Sequence, residues 1–519
     1  MEILHNLFYG FSVSFQPENL VYCFVGAVLG TLIGVLPGIG PVGAISLLLP
    51  ATFHLPPIPG TIMLAGIFYG SAYGGSTTSI LVNSPGEAAS IVTCLDGYQM
   101  AKQGRAGPAL GIAAFGSFIA GTLGLVGLFL FAAPLAQFAL RFGAPEYCAL
   151  VLMGLVVVTY LSTGPMIKTI MVAAFGLILS SIGLDAVEGT PKLTFDILEL
   201  SDGLGLVPIS MGMFGISEVL VSLETDEKTE ILKSKTSMRS LFPSVTDWMR
   251  STGAIIRGSI LGFFVGLMPG GNPVTASFLS YGIEKKASKF PHEFGKGAIE
   301  GVAGPEAANN SATAGSFIPL FTLGIPCNLV MALMFGALMI HGMQPGPFLL
   351  KDHPDLFWGV ICSMYVGNVM LLVLNLPLIP LWVQVLKVPR RILFPLIMIF
   401  CIIGAYSLNN SVFDIVIMMI AGFVGYLFRK FEYEGAALML AFVLGPMFEK
   451  TLRQSLILSR GSFSIFVTRP ISAVLVGVTV LVLAGSLFSF FRKGRKMAGI
   501  PAPGENMEEK IGPGERIIT

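Results

Sequence analysis

Two stretches of small hydroxyl and amide side chains lie inside otherwise apolar sequence. One is Gly70–Ser79, with Ser76, Thr77 and Thr78; the other is Gly304–Ser316, with Asn309, Asn310, Ser311 and Thr313. Such side chains supply neutral oxygens for a cation, donors for an anion, or hydrogen bonds between helices. Each stretch has an acidic neighbour: Glu87 follows Asn83-Ser84-Pro85-Gly86, and Glu306 follows Gly304-Pro305. A carboxylate in apolar surroundings is a functional candidate because uncompensated charge in hydrocarbon is costly.

Those side chains need a scaffold, and its sequence signature occurs twice. Gly34-Val35-Leu36-Pro37-Gly38-Ile39-Gly40-Pro41-Val42-Gly43-Ala44 returns 232 positions later as Gly266-Leu267-Met268-Pro269-Gly270-Gly271-Asn272-Pro273-Val274-Thr275-Ala276, with six of eleven positions identical. Upstream, Gly26, Gly30 and Gly34 match Gly258, Gly262 and Gly266 at the same offset. Proline removes a helical donor and clashes with the preceding turn, while glycine reaches backbone angles closed to other residues. Each copy therefore reads as a close-packing glycine ladder running into a helix break. A repeated break in corresponding apolar segments points to a transporter's binding site.

The bulk composition places these breaks in a membrane. The chain has 519 residues, 54% of them apolar and 12% charged, with a mean hydropathy of +0.79. Many stretches reach the ~20 residues needed to cross a bilayer core. The expected fold is an all-α polytopic integral membrane protein with broken helices or re-entrant hairpins and roughly 10–14 membrane segments. A net charge of +1 and the lack of a basic patch give no sign of a nucleic-acid partner. Six scattered cysteines form neither a CxxC nor a Cys/His cluster, so no disulfide framework or metal site is expected beyond a possible Na⁺. The sequence has no HExxH, no GxSxG elbow and no P-loop, so neither an enzyme nor a directly ATP-driven pump is expected, and no cofactor.

Along the chain, the two halves resemble each other. Residues 1–223 form a first transmembrane repeat and 224–250 a cytoplasmic amphipathic linker with Lys228, Lys233, Lys235, Arg239 and Arg250. Residues 251–448 form a second repeat, 449–491 a linker and final transmembrane helix, and 492–519 a polar cytoplasmic tail. Within the repeats, 60–83 and 304–328 are expected to be interrupted segments, 96–105 a polar linker, and 435–448 a short piece, with either that piece re-entrant or the basic stretch after it (Lys450, Arg453, Arg460, Arg469) at the interface. Scattered identities at an offset of 246 (Gly121/Gly367, Pro134/Pro380, Tyr160/Tyr406, Gly176/Gly422) extend the match. Residues 1–101 hold no Lys or Arg, so the N-terminus is expected outside the cytoplasm, with the C-terminus inside. The basic turn Lys387–Arg391 and its weakly charged counterpart 141–144 then fall on opposite faces, as in an inverted repeat.

Non-helical backbone at membrane depth must face protein or a water-filled cavity. Half-helix starts there suit a carboxylate; half-helix ends and unwound carbonyls suit a cation. Substrate contacts are expected at Gly38, Gly40, Pro41, Gly270, Gly271, Asn272, Pro273, Ser76, Thr77, Thr78, Asn310 and Ser311. Cation contacts are expected at Asn83, Glu87, Thr275, Glu306, Asn309 and Thr313. Moving a charge against the membrane potential costs ~2.3 kcal/mol per 100 mV, so dianion uptake needs at least two co-transported cations for electrical neutrality. A channel or a non-transporting scaffold for a partner subunit is the alternative.

Four stretches, GVLPGIGPVGA, YGGSTTSILVNSPGEAASIVTCLDGYQMAKQGRAGPALG, GLMPGGNPVTA and GPEAANNSATAGSFIPLFTLGIPCN, make the chain resemble a known family, the large membrane subunit of the bacterial tripartite tricarboxylate transporters. With similar length and hydropathy, the resemblance spans nearly the whole chain. It implies a secondary, cation-coupled (Na⁺ or H⁺) permease of the bacterial inner membrane that takes up a di- or tricarboxylate or similar organic anion. It also implies two protein partners, a small four-helix membrane subunit and a periplasmic solute-binding protein.

Overall fold

The computed structural model of the chain describes residues 2–36, 38–161, 165–185, 188–224 and 238–497. Residues 225–237 of the linker, 498–519 of the tail and Pro37 of the first break lie outside the described residues. In the first half, α1 (Glu2–Ser14) and α2 (Pro17–Val35) lead through the break to α3 (Gly40–Thr52) and α4 (Pro57–Val82). Then come α5 (Ile91–Lys102), α6 (Ala106–Ala139), α7 (Ala144–Leu161) and α8 (Met166–Ser180). After a small antiparallel ladder pairing Gly183–Leu184 with Pro191–Lys192, α9 (Leu206–Ser210), a π-helical turn (Met211–Ile216) and α10 (Ser217–Glu224) make one rod.

The second half opens with α11 (Val245–Leu267), α12 (Pro273–Ala287), α13 (Glu300–Ile318) and α14 (Leu329–Ile340), with a π-helical turn at Pro319–Leu323. It continues with α15 (Leu349–Asp352), α16 (Pro354–Asn375), α17 (Ile379–Val385), α18 (Arg390–Asn409), α19 (Val412–Lys430), α20 (Gly435–Leu458), α21 (Ile465–Thr468) and α22 (Pro470–Met497). Among the described residues, seven helices are long and apolar enough to cross a membrane: 17–35, 106–139, 206–224, 354–375, 391–409, 412–430 and 435–458. Five shorter apolar helices accompany them. The chain is an all-α polytopic membrane protein.

α4 and α13 stand at the centre, buried along essentially their whole length. Protein surrounds them on every side, so they need no apolar, lipid-compatible surface and accommodate the two polar stretches. Close packing replaces hydrophobicity there. Gly26, Gly30 and Gly34 on α2 face the Met63, Ile67 and Ser71 carbonyls of α4, and a Cβ at any of them would overlap its carbonyl. Gly258, Gly262 and Gly266 on α11 meet the Gly304, Ala308 and Ala312 carbonyls of α13 in the same way. Small residues let backbones approach and give dispersion contacts that the hydrophobic effect does not supply in lipid.

Helix partners also correspond pairwise between the halves: α2 packs on α4 as α11 does on α13, α2 touches α16 as α11 touches α6, and α8 packs on α20 as α19 packs on the α9–α10 rod.

Several segments differ from the sequence expectation. Residues 60–82 are not interrupted but form one continuous helix that ends at Asn83 (φ 57°), whereas 304–328 is interrupted only in its last part, at Gly324 (φ 69°), after α13 and the π-helical turn. Small residues at high density loosen an isolated helix, but burial on all sides holds these two. Residues 96–105 are mostly helical, in α5, because Asp96 is consumed by tertiary hydrogen bonds. The piece starting at Gly435 is a 24-residue helix rather than a short re-entrant one. Two of the basic residues that follow it in sequence or lie on its last turns are paired, Arg453 with Asp185 and Glu449, and Arg469 with Glu146.

Candidate functional site

The two breaks have matching local geometry. Leu36 and Met268, the residues after α2 and α11, are both extended, with their N–H groups bonded three residues back to Ile33 and Val265. Positive φ follows at Gly38 (94°) and Gly270 (79°), where a Cβ would be strained. Each break meets the loop after its central helix. Thr78 Oγ1 donates to the Val35 carbonyl left open at the end of α2 (2.7 Å), and Gly86 lies against the Gly34 carbonyl. At the other break, Gly270 N–H donates to the Cys327 carbonyl (2.9 Å).

Both breaks lie at one level of the bundle. Gly34 marks Ser71 on α4 and Gly266 marks Ala312 on α13. The two central helices cross antiparallel, with Ser76 beside Glu306 and Phe68 beside Phe317. Residues 71–79 and 306–313 therefore form one polar layer between the breaks.

Within this layer Glu306, 1% exposed, accepts from Ser76 Oγ at Oε2 (2.7 Å) and from Thr93 Oγ1 at Oε1 (2.5 Å). Asn310 Nδ2 donates to Ser117 Oγ (2.7 Å) and to the Glu306 carbonyl (3.0 Å). Glu87, 6% exposed, accepts from Asn309 Nδ2 (2.7 Å) and packs beside Gly75 and Gly40, the start of α3. The partial positive charge of that helix start favours a carboxylate. Neither carboxylate takes part in an ion pair among the described residues, whereas Arg105, Arg250, Arg257 and Arg429 each pair with an acid elsewhere. The side-chain oxygens of Asn309 and Asn310 are buried without a hydrogen-bond partner.

The structure thus gathers Ser76, Glu87, Glu306, Asn309 and Asn310 into one layer, with the bonds Ser76–Glu306 and Asn309–Glu87 joining the two halves. Other candidates have packing roles in this conformation. Ser311 Oγ bonds the Ser259 carbonyl on α11 (2.7 Å), and Thr313 Oγ1 bonds the Asn309 carbonyl one turn back (3.0 Å). Thr77 is buried beside Ser76. Asn272 caps α12, its Oδ1 accepting from Thr275 N–H (2.8 Å), while Gly271 and Pro273 complete the turn. Gly40 and Pro41 open α3, whose start has no side-chain cap. Asn83 is exposed at the end of α4.

A cleft of about 190 Å³ reaches the first break, lined by Leu36, Ile39, Phe214, Glu218, Val388 and Phe394. Glu218 pairs with Arg429 and lies against Gly38.

Thr93 and Ser117 join these contacts although the sequence pattern does not single them out, and Tyr73 OH donates to Asn368 Oδ1 (2.7 Å) in a separate pair. Asn368 and Ser117 carry a usable signal as polar residues inside long apolar runs. Thr93 carries none, because it lies between the Ser/Thr stretch and the 96–105 linker, and only the packing of α5 brings it to Glu306.

Residues 20–440 match the tripartite tricarboxylate transporter TctA family. The chain belongs to this family. An uncharacterized 52.8 kDa protein from the TAR-I ttuC′ 3′ region of Agrobacterium vitis is 49% identical over 495 residues, covering 95% of this chain and 98% of that protein. A second uncharacterized A. vitis protein, from the TAR-II ttuC′ 3′ region, is 51% identical over 234 residues, 45% of this chain and 97% of the relative. No solved structure matches. TctA proteins are membrane components of tripartite transporters, so the breaks and the carboxylate layer belong to a transporter-type membrane protein that works with partner subunits.

Proposed function

We propose that the chain is the permease subunit of a secondary transporter, taking up a di- or tricarboxylate or similar organic anion by alternating access, coupled to a cation. The observation that carries this is the pair of buried carboxylates, Glu87 and Glu306, with no basic partner among the described residues, in the layer both breaks face. A buried charge left unpaired costs several kcal/mol, so these groups need a proton or a metal cation to neutralise them. Bridging the halves, they tie cation occupancy to the relative position of α4 and α13. The substrate carboxylates dock against the starts of α3 and α12, at Gly38–Pro41 and Gly270–Pro273, where the helix dipoles favour negative charge. The cleft at Leu36 and Ile39 gives that site its way out.

The pairwise correspondence of helix partners supports two inverted repeats that exchange packing during transport. Family membership supports an inner-membrane location and two partners, a four-helix membrane subunit and a periplasmic solute-binding protein that delivers the anion. The test is labelled carboxylate uptake by proteoliposomes holding the three components, under an imposed Na⁺ or H⁺ gradient. Uptake driven by one gradient and lost in the N272A/N310A double variant is expected. Uptake indifferent to both gradients would exclude symport.

A further inference from the structure

A small cavity between α4, α6 and α16 is lined by Tyr73, Ser76, Thr77, Ser117 and Asn375, with apolar residues of α6 closing one side. It has room for one water-sized body, far too little for an organic acid. Its polar lining is neutral, and one carboxylate adjoins it: Ser76 Oγ bridges from the cavity wall to Glu306 Oε2 (2.7 Å). Ser117 Oγ, which accepts from Asn310 Nδ2 (2.7 Å), also belongs to the Glu306 surroundings. Asn375 is 4% exposed; its Nδ2 bonds the Leu371 carbonyl (3.0 Å), while its Oδ1 is buried with no hydrogen-bond partner.

We infer that this cavity binds a monovalent metal cation, Na⁺ in preference to larger ions, through hydroxyl and amide oxygens with Glu306 as the balancing charge. The inference rests on the permease reading and names its coupling ion. Three observations carry it together. The volume suits a dehydrated monatomic ion. The lining offers hard oxygen donors, including an amide oxygen with nothing else to bind. A single neighbouring carboxylate matches a single positive charge, and no group of three or more His, Cys, Asp or Glu residues that would hold a divalent metal occurs among the described residues. Tyr73, Ser117 and Asn375 thereby become cation-site residues, distinct from the substrate contacts at the breaks.

The test is thermal stability of the purified full chain in detergent, titrated with NaCl against KCl and choline chloride at constant ionic strength. Wild type is expected to show a saturable stabilisation by Na⁺ that K⁺ and choline do not give. S117A and N375A should raise the half-saturating Na⁺ concentration about tenfold or more, and N375D, which keeps an oxygen at that position, should retain the response. A wild type indifferent to Na⁺, or variants with an unchanged Na⁺ response, would overturn the inference and leave the cavity to a structural water. Proteoliposome uptake separates the two readings. Uptake driven by H⁺ alone, with no Na⁺ stabilisation, removes the Na⁺ site and keeps the permease, whereas uptake under neither gradient removes the permease itself.

Discussion

At the residue scale, the consequential feature is a carboxylate with hydroxyl donors and no basic partner among the described residues. Glu306 receives Ser76 and Thr93 hydroxyls, which stabilise negative charge without cancelling it. The variant E306Q keeps the side-chain volume and removes the charge, so it is expected to fold and to lose most gradient-driven uptake; unchanged uptake would remove Glu306 from coupling. Asp96 has a different role. Fully buried, its Oδ1 accepts the Gly295, Gly297 and Ala298 N–H groups at 2.8–2.9 Å, and Oδ2 accepts from Tyr281 OH at 2.9 Å. That clamp ties α5, which carries Thr93, to the chain just before α13, which carries Glu306. D96A strands three backbone donors and is expected to cost roughly 3 kcal/mol or more, read as a fall in melting temperature, with D96N intermediate.

At the element scale, the glycine ladders decide which helices hold the site. Gly262 meets the Ala308 carbonyl with no room for a Cβ, so α11 and α13 cannot approach as closely once a side chain is added. G262V is expected to destabilise the protein by about 1–3 kcal/mol and to displace Asn309 from Glu87; wild-type stability and uptake would contradict that close approach. The ladder at 183–192 is held differently. Lys192 sits between Asp185 and Glu449, and its hydrogen bond to Asp185, followed by that to Glu449, raises its pKa above the ordinary lysine value. A raised lysine pKa contributes stability at all pH values below the unfolded lysine value and loses it as pH climbs through the higher folded value. K192M should therefore lower the melting temperature at neutral pH, and the difference from wild type should shrink only at strongly alkaline pH.

For the whole molecule, the proposed coupling would run through contacts between halves far apart in sequence. Glu87 meets Asn309 across 222 positions and Ser76 meets Glu306 across 230. If those contacts hold one of two transport conformations, then the double variant E87Q/N309A is expected to show less than the sum of the two single losses in uptake, because each single change already breaks the same contact. Fully additive losses would mean that the two residues act separately.

Much of this molecule is legible in its amino-acid sequence alone. The membrane class follows from composition and the length of the apolar runs, because a bilayer core demands about 20 apolar residues per helix. Both breaks follow from Pro and Gly at matched positions, since those residues act on the local backbone whatever surrounds them. Glu87 and Glu306 are visible as acids in apolar surroundings. Tertiary structure alone decided that 70–82 and 304–318 stay helical, because a Gly- and Ser-rich helix is weak by propensity and is held by neighbours that the local sequence does not contain. It alone placed Thr93 on Glu306, Asp96 in its clamp and Asn375 at the cavity wall. Each of those roles depends on which distant helix lies opposite, and helix pairing is set by packing across the whole bundle.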